Sequence, residues 1–364
     1  MLGSAALHAS PTLALGARAA AMRRAGADVL SVSTPSFLNS VAPVPIPPAA
    51  ALLGDPAGEP ALRDLARDRL FGGWSLPQHG VMVTAGAKAA LHAVLRHLLR
   101  PGDRVGIVTP AWPSYTQLVG LLYAEPVPIP TQLADGWLPA PEAIGAAAAA
   151  PGAPMRALLL SNPANPTGRV LDGAALDSVL VACAGLGVAC ILDESFSAFR
   201  FGAARDNGAR PVPPDSTSLY VVNSFSKNFA VQGYRLGAAL IPREGWQPVL
   251  AAHQAVSSAA SSAAQAALLA LEAAGQLRTP DIAPQRDATL EFIAAAGWAC
   301  HPTQGGFYAF PRLPDLALLN RFERAGLLAL DGAAFGGDPR HIRLCFARPM
   351  TELMAMLSRM QAVL

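Results

Sequence analysis

The chain has 364 residues, of which 14% are charged, and its formal net charge at pH 7 is +2. Its basic residues are scattered and form no clustered stripe, which argues against a nucleic-acid-binding protein. The longest uninterrupted apolar run, residues 179–192, has 14 residues. A membrane span needs roughly 18 or more, so no association with a membrane is expected.

Targeting and disulfide signals are also missing from the sequence. The apolar stretch over residues 13–21 is interrupted by Arg18, and no charged segment precedes it, so we expect no signal peptide and predict a cytoplasmic protein. No CxxC pair and no cluster with histidines is formed by the four cysteines, Cys183, Cys190, Cys300 and Cys345. The sequence therefore predicts neither a disulfide framework nor a metal site.

Residues 1–54 are rich in proline and predict an extended arm with one early helix. From about residue 80 to 240, short apolar runs alternate with longer alanine- and leucine-rich segments. This alternation is typical of an α/β domain with a mostly parallel sheet. Helices are predicted over residues 63–70 and 87–99, and strands over residues 81–83, 105–108, 157–160, 188–192 and 219–222.

The pattern changes after about residue 245. Long helix-like segments are followed by two short strand candidates at residues 306–310 and 342–346. We therefore predict three parts: the arm with part of a small domain over residues 1–54, a large domain over 55–245, and an interdomain helix with a smaller α+β domain over 246–364.

In an open α/β sheet, ligands bind beyond the carboxyl ends of the strands. The first predicted strand is followed by Gly86, Ala87, Lys88 and a helix, and helix N-terminal N–H groups can hold a phosphate. An ordinary helix start would give the same pattern. The second strand is followed by Trp112, whose indole can stack on a flat heteroaromatic ring or simply fill the core.

The third and fourth strands end in polar residues. The third leads into SNPANPTG, residues 161–168, where prolines and a glycine restrict the backbone and orient Asn162 and Asn165. The fourth ends at Asp193 and Glu194. A carboxylate beside a buried strand is costly unless it meets a cation, such as a protonated pyridinium nitrogen. A helix cap or a structural ion pair is the alternative.

The fifth strand ends just before Lys227. Lysine occurs only at Lys88 and Lys227, so lysine-dependent chemistry has two candidates. A lysine in apolar surroundings has a lowered pKa and forms an imine with an aldehyde. Ser224, Ser226 and Arg235 could bind one phosphate. An imine lysine, a pyridinium partner, a stacking ring and phosphate donors together predict one cofactor, pyridoxal 5′-phosphate (PLP).

These motifs resemble the class I/II, fold type I PLP aminotransferases over nearly the whole chain. The segments NPANPTG, DE at Asp193, SFSKNFAVQGYRLG and IRLCFA around Arg343 occur in the order of that family and roughly at its spacing. The resemblance implies a large domain with a mostly parallel mixed sheet flanked by helices, and a smaller α+β C-terminal domain. It also implies homodimers with active sites at the subunit interface.

The resemblance implies a role for each matching residue. Lys227 would carry PLP as a Schiff base and move protons at the substrate Cα. Asp193 would keep the pyridine nitrogen protonated, Asn165 would bond the phenolic oxygen, and Trp112 would stack on the ring. Arg343 would bind the α-carboxylate of an amino acid or a 2-oxo acid, and Asn165 would also contact the substrate. The phosphate would be held by Gly86, Ala87, Lys88, Ser224, Ser226 and Arg235.

Three positions depart from the family pattern. Phe196 replaces a tyrosine that bonds the phenolic oxygen, and its presence should raise the pKa of the Schiff base. Leu53 replaces a tyrosine that reaches the partner's phosphate. Ser33 replaces a glycine that backs the substrate carboxylate, so Ser33 is a candidate substrate-binding residue.

We interpret the chain as an amino-acid aminotransferase. The departures keep open a different PLP reaction on an amino acid, by a lyase, decarboxylase, cyclase or oxidase. A PLP-binding sensor of this fold is the alternative outside enzymes. It is disfavoured because such a module has little need for both Lys227 and Arg343.

Overall fold

The computed structural model describes residues 10–36, 41, 43–206, 210 and 216–364. The first nine residues of the predicted arm lie outside this range. The early helix predicted within the arm is present as α1. The helices longer than a single turn are α1 (Pro11–Arg24), α2 (Pro60–Phe71), α3 (Ala87–Leu98), α4 (Ser114–Leu121), α5 (Pro141–Ala149), α6 (Gly173–Leu186), α8 (Trp246–Ser257), α9 (Ser262–Ala273), α10 (Ala283–Ala295), α11 (Ala317–Arg324) and α12 (Met350–Gln361). The single-turn helix α7 (Phe225–Asn228) carries Lys227.

Each strand predicted from the apolar runs is present. The strands are β1 (Leu30–Ser31), β2 (His79–Thr84), β3 (Arg104–Thr109), β4 (Glu125–Pro130), β5 (Met155–Ser161), β6 (Ala189–Asp193), β7 (Leu219–Ser224), β8 (Gly237–Pro242), β9 (Tyr308–Ala309), β10 (Leu327–Leu328) and β11 (Leu344–Cys345). Seven of them form one sheet in the order β2-β8-β7-β6-β5-β3-β4. Pairs from β4 through β7 are parallel, and β8 runs antiparallel to both β2 and β7. The predicted mostly parallel, mixed sheet is confirmed.

Two strands of this sheet were not predicted, β4 and β8. In β4, prolines occupy every second position, at Pro126, Pro128 and Pro130, and β4 pairs only with β3 at the sheet edge. Alternate N–H groups of a strand point to the same side, so these prolines remove donors only on the outer side, where no strand needs them. The sequence of β8, GAALIP, is short and rich in small residues, which hides it among helix-like segments.

The sheet is buried on both faces. In β6, Cys190 and Leu192 pack into one hydrophobic cluster, and Ile191 between them packs into the cluster on the opposite face. This explains why the central strands appear in the sequence as continuous apolar runs rather than as alternating patterns.

A third hydrophobic cluster contains residues from both the N-terminal and the C-terminal parts of the chain. Strand β1 pairs in parallel with β10, and β9 pairs antiparallel with β11, beside a core that includes Val32, Phe307 and Phe346. Residues 306–310 and 342–346 therefore contain the two expected strands. The division of the chain at residues 54 and 245 stays our proposal. Within the described residues, no helix is long and apolar enough to cross a membrane.

Candidate active site

A cavity of about 360 Å³ lies at the carboxyl ends of the parallel strands. It is lined by the loops that follow β2, β3, β5, β6 and β7, together with the start of α1 and residues beside β9 and β11. Because neighbouring parallel strands end at the same edge, motifs far apart in sequence meet there. The predicted residues that line it are Gly86, Ala87, Lys88, Trp112, Asn165, Asp193, Phe196, Ser224, Ser226, Lys227, Arg235 and Arg343.

Asp193 is a buried residue of the cavity lining. Its Oδ1 accepts a hydrogen bond of 2.9 Å from the backbone N–H of Ser195, and its Oδ2 accepts one of 2.8 Å from the Tyr115 hydroxyl. Burial raises the pKa of Asp193, although the bonds from Ser195 and Tyr115 oppose this effect. A cation beside the carboxylate would restore its charged form, and a protonated pyridine nitrogen is such a cation.

The neighbouring carboxylate has a different environment. Glu194 accepts a hydrogen bond of 2.9 Å from the Trp74 indole N–H and forms an ion pair of 2.8 Å with Arg210. The negative charge of Glu194 is therefore balanced by Arg210, outside the cavity lining. Of the DE pair, only Asp193 lines the cavity.

Lys227 lies on the single-turn helix α7, which directly follows β7. Burial lowers the pKa of Lys227, the nearby Cys345 thiol opposes this, and the cations Arg235 and Arg343 lower the pKa further. A lowered pKa increases the fraction of neutral amine at physiological pH. The neutral amine is the form that attacks an aldehyde and accepts a proton.

A second region of the cavity is built for an anion. Gly86 precedes α3 with a φ of 87°, and a Cβ there would lie 3.0 Å from Nη2 of Arg235. Glycine thus lets the Arg235 guanidinium approach the N-terminus of α3, where the first N–H groups have no partner within the helix. Lys88 lies in the same region, and its pKa is lowered by burial and by the charge of Arg235. Two cations and a helix N-terminus that face one space fit a phosphate.

The serines of this region differ in their present bonding. Ser224 closes β7 and lines the cavity. The Ser226 hydroxyl donates to the Leu236 carbonyl oxygen over 3.2 Å. Because a phosphate oxygen accepts hydrogen bonds, Ser226 would have to rotate its hydroxyl to serve it.

Trp112 and Lys88 lie against each other. The Lys88 ammonium is 4.8 Å from the centre of the indole ring and donates to the Ser114 hydroxyl over 3.2 Å. Tyr115 packs edge-on against the same indole, with ring centres 5.5 Å apart. The indole is therefore held in position at the cavity wall.

Arg343 is buried and also lines the cavity. Its Nη1 donates to Asn165 Oδ1 over 3.1 Å, and its Nη2 donates to the Ser33 carbonyl oxygen over 2.8 Å. The rings of Tyr308 and Phe335 lie against the guanidinium, with centres 4.3 and 4.8 Å from Cζ. Its Nε has no hydrogen-bond partner among the described residues.

The three departures from the family pattern take different places. Phe196 lines the cavity and packs edge-on against Phe307, with ring centres 4.9 Å apart. Leu53 is 75% exposed and lies outside the cavity. Ser33 is fully buried, and its side chain bonds backbone groups behind Arg343 instead of lining the cavity.

The structure adds residues that the motifs did not assign. Tyr115 binds Asp193, Tyr308 packs against Arg343, and Ser10 and Thr12 bring the start of α1 to the cavity. Tyr115 follows Trp112 by three residues in the segment after β3, so its place beside the same cavity was a usable signal. Nothing local in the sequence indicates that the distant residues Ser10 and Thr12 reach this cavity.

Comparison with known proteins identifies the family. The sequence model described as aminotransferase class I and II matches residues 47–359. The chain belongs to this family.

Relatives of this aminotransferase cover it almost completely. It is 27% identical to aspartate/prephenate aminotransferase of Thermus thermophilus in an alignment of 383 positions that covers 99% of this chain and 97% of the relative. It is also 27% identical to aspartate aminotransferase of Geobacillus stearothermophilus, with 98% and 96% of the two chains covered.

Solved structures agree with the sequence comparison. The aspartate aminotransferase from Thermus thermophilus with maleate has a TM-score of 0.84 at 26% identity, over 99% of this chain and 98% of that one. The enzyme from Rhizobium meliloti has the same TM-score and identity, over 100% and 98%. The predicted fold type I and the predicted PLP-dependent aminotransferase acting on amino acids are confirmed.

The donor set of the cavity fits PLP. The N-terminus of α3 with Arg235 and Lys88 can bind the phosphate of PLP. The buried Asp193 carboxylate can pair with the pyridinium nitrogen, and the Lys227 amine, whose pKa is lowered, can react with the aldehyde. These three groups match the three polar ends of one planar molecule.

Proposed function

We propose that this aminotransferase binds PLP through Lys227, Asp193 and the corner formed by Gly86 and Arg235, and that Arg343 binds the α-carboxylate of the amino acid and of the 2-oxo acid. The observation that carries the proposal is the single cavity that joins Lys227, Asp193 and Arg343, three ionisable side chains from separate segments. When bound, PLP supplies an aldehyde for the amino group and an electron-accepting ring.

Lys227 is assigned the proton transfers. Because burial lowers its pKa, its amine can take a proton from the substrate Cα and return it near neutral pH. Burial raises the pKa of Asp193, so a cation beside the carboxylate favours its charged form, and the charged carboxylate in turn favours the protonated ring nitrogen. Tyr115 and Ser195 fix the orientation of its carboxylate.

Arg343 and Asn165 are assigned to orientation. The guanidinium is held between two aromatic rings, which keeps its plane fixed before a carboxylate arrives. Asn165 Oδ1 accepts from Arg343, and its amide group is available as a donor toward the phenolic oxygen of the cofactor. Trp112 provides the flat wall against which the ring stacks.

The half-reaction tests this assignment. Purified enzyme mixed with one amino acid and no 2-oxo acid should release one equivalent of oxo acid and then stop, with the cofactor left in its amine form. Addition of a 2-oxo acid should restore the starting spectrum. Repeated turnover without an oxo acid would instead indicate a lyase, decarboxylase, cyclase or oxidase reaction.

For the side chain of the donor, we propose an acidic group. Two observations support this: the relatives named above are aspartate or aspartate/prephenate aminotransferases, and Lys88 presents a half-buried ammonium at the cavity wall beside Trp112. The ammonium is bonded to a neutral hydroxyl, that of Ser114, so in this proposal Lys88 serves the side-chain carboxylate of the donor, and the phosphate is left to Arg235 and the N-terminus of α3.

Replacement of Lys88 by alanine should change donor preference. We expect kcat/KM for aspartate or glutamate to fall about 10- to 100-fold, because a charge-assisted hydrogen bond is lost. The value for a neutral donor such as alanine should change far less. Steady-state kinetics with both donors measures this, and Lys88→Arg, which retains the charge, serves as the control. An equal loss for both donors would contradict an acidic-side-chain role.

Replacement of Phe196 by tyrosine should lower the pH at which the absorbance of bound PLP changes. The added hydroxyl would donate a hydrogen bond to the charged phenolic oxygen and favour the deprotonated Schiff base. The midpoint of the absorbance change should therefore fall by about one pH unit. A spectral titration measures it. Phe199→Tyr is a matched control, because Phe199 packs against the same Phe307 ring but does not line the cavity. An unchanged midpoint would place Phe196 away from that oxygen.

The oligomeric state and location are also proposals. We propose a homodimer. Leu52 and Leu53, at the end of the arm, are both exposed, and adjacent exposed leucines favour a contact with another protein surface. Sedimentation of the purified enzyme would test the dimer. A cytoplasmic location stays a prediction from the sequence.

A further inference from the structure

The hydroxyl of Ser33 joins two backbone segments beside Arg343. Ser33 Oγ donates to the Arg343 carbonyl oxygen over 2.8 Å and accepts from the Leu330 N–H over 2.9 Å. The Arg343 N–H also donates to the Leu330 carbonyl oxygen, over 3.2 Å. Ser33 is fully buried, so these bonds form out of contact with water. Three distant segments of the chain are thereby fixed to one another at this point.

The main chain of Ser33 holds the side chain of the same arginine. Its carbonyl oxygen accepts from Arg343 Nη2 over 2.8 Å, while Asn165 accepts from Nη1. Ser33 therefore contacts Arg343 twice, at its backbone through Oγ and at its guanidinium through the carbonyl oxygen. These contacts connect both ends of the arginine to Ser33.

The Ser33 hydroxyl supplies hydrogen bonds at the position where backbone pairing between the strands ends. Strands β1 and β10 pair over only two residues, and the ladder continues with the Val32 N–H bonded to the Leu328 carbonyl oxygen and the Cys345 N–H bonded to the Val32 carbonyl oxygen. At the next position the backbone ladder ends and Ser33 Oγ supplies both the donor and the acceptor. A glycine at this position would leave the Leu330 N–H and the Arg343 carbonyl oxygen without these partners.

From this geometry we infer that Ser33 is a positioning residue for Arg343: its hydroxyl fixes the arginine backbone so that the guanidinium meets the substrate carboxylate without rearrangement. The inference rests on the proposed function, in which Arg343 binds that carboxylate. Ser33 does not line the cavity, so it acts through Arg343 and does not touch the substrate.

The test is carboxylate binding to the PLP-loaded enzyme. Succinate has no amino group and cannot react, so calorimetric titration with it reports binding alone. Ser33→Ala should weaken succinate binding about 3- to 10-fold, as expected for the loss of one or two buried hydrogen bonds. In turnover the same variant should raise KM more than it lowers kcat, because the carboxylate is held throughout the reaction.

A matched control lies two residues away. Ser31 is also buried, and its hydroxyl has no hydrogen-bond partner among the described residues. Ser31→Ala removes an equivalent group from the same segment, so succinate binding should stay within about twofold of the native value. Equal weakening in both variants would overturn the inference, because the effect would then belong to the segment and not to the Ser33 hydroxyl.

Two further variants separate the possible failures. If Arg343→Ala leaves succinate binding unchanged, the proposed function is wrong at Arg343. If Arg343→Ala abolishes strong binding but Ser33→Ala has no effect, only the positioning role is wrong. In the Arg343→Ala background, Ser33→Ala should have little further effect, as expected for two residues that act as one unit.

Ser33→Gly should weaken succinate binding like Ser33→Ala, since both lack the hydroxyl. If neither variant folds or binds PLP, the inference is overturned, because Ser33 would then be needed for the fold itself.

Discussion

Replacement of Lys227 by alanine should abolish transamination, with a loss of about 10⁴-fold or more. The variant loses both the amine that attaches PLP and the group that moves the proton at the substrate Cα, and each contributes a large factor. The visible absorbance of attached PLP should disappear, while the far-ultraviolet circular dichroism should stay as in the native enzyme. Absorbance spectroscopy and steady-state kinetics measure these changes.

The chain provides a strict control for this experiment. Lys88 is the other lysine of the sequence, so attachment of PLP can be assigned between two sites only. After reduction with borohydride, mass analysis should find PLP on Lys227 in the native enzyme and in Lys88→Ala. Attachment to Lys88 in the Lys227→Ala variant, with retained activity, would show that the assignment of the two lysines is reversed.

Replacement of Asp193 by asparagine should lower kcat about 100-fold or more, because the amide cannot stabilise a protonated pyridine nitrogen. The change is nearly isosteric. The amide oxygen can accept from the Ser195 N–H, and the amide nitrogen can donate to the Tyr115 oxygen, so both present contacts keep a partner. Single-turnover kinetics with a saturating amino acid measures the loss, and native-like rates would remove Asp193 from the ring nitrogen.

The same variant should be more stable than the native protein when PLP is removed from both. Burial raises the pKa of Asp193, so in the cofactor-free protein the folded state keeps this proton to a higher pH than the unfolded chain. The free energy of unfolding therefore falls as pH rises from about 4, the ordinary value of an aspartate, through the raised pKa of the folded state. Asparagine carries no charge to bury, so the difference in the free energy of unfolding between the variant and the native protein should grow over that pH range.

Thermal unfolding of both cofactor-free proteins at several pH values measures this effect. With PLP bound the order should reverse, because the ring cation then compensates the carboxylate and stabilises the native enzyme. If the cofactor-free Asp193→Asn variant were less stable than the native protein at neutral pH, the carboxylate would already be compensated by its protein contacts. Tyr115→Phe, which removes one such contact, should raise the stability cost of Asp193.

Much of the cofactor site could be predicted from the sequence because its groups are close to strand ends and rigid loops. The apolar runs that end at Ser161, Asp193 and Ser224 are buried on both faces, so they are continuous and easily recognised. The residues after them must lie at one edge of the sheet, whatever the details of the helices. Asn165, Asp193 and Lys227 were found in this way.

Two strands of the sheet, the edge strand β4 and the inner strand β8, were harder to predict, for different reasons. Strand β4 contains three prolines, which local propensity assigns to a loop, but an edge strand tolerates them on its outer side. Strand β8 lies between β2 and β7 and runs antiparallel to both, and its small residues carry little strand propensity. In both cases pairing with neighbours, and not the local sequence, decides the conformation.

The sequence by itself determined the two lysines, the order of the motifs and hence the family and cofactor, because these depend on residue types at fixed short spacings. Only the tertiary structure decided that Tyr115 binds Asp193, that Thr12 from α1 reaches the cavity, and that the Ser33 hydroxyl bonds the Arg343 backbone instead of lining the cavity. The last of these contacts joins residues 310 positions apart. Such contacts depend on how the two small sheets and the large sheet pack, which no local pattern encodes.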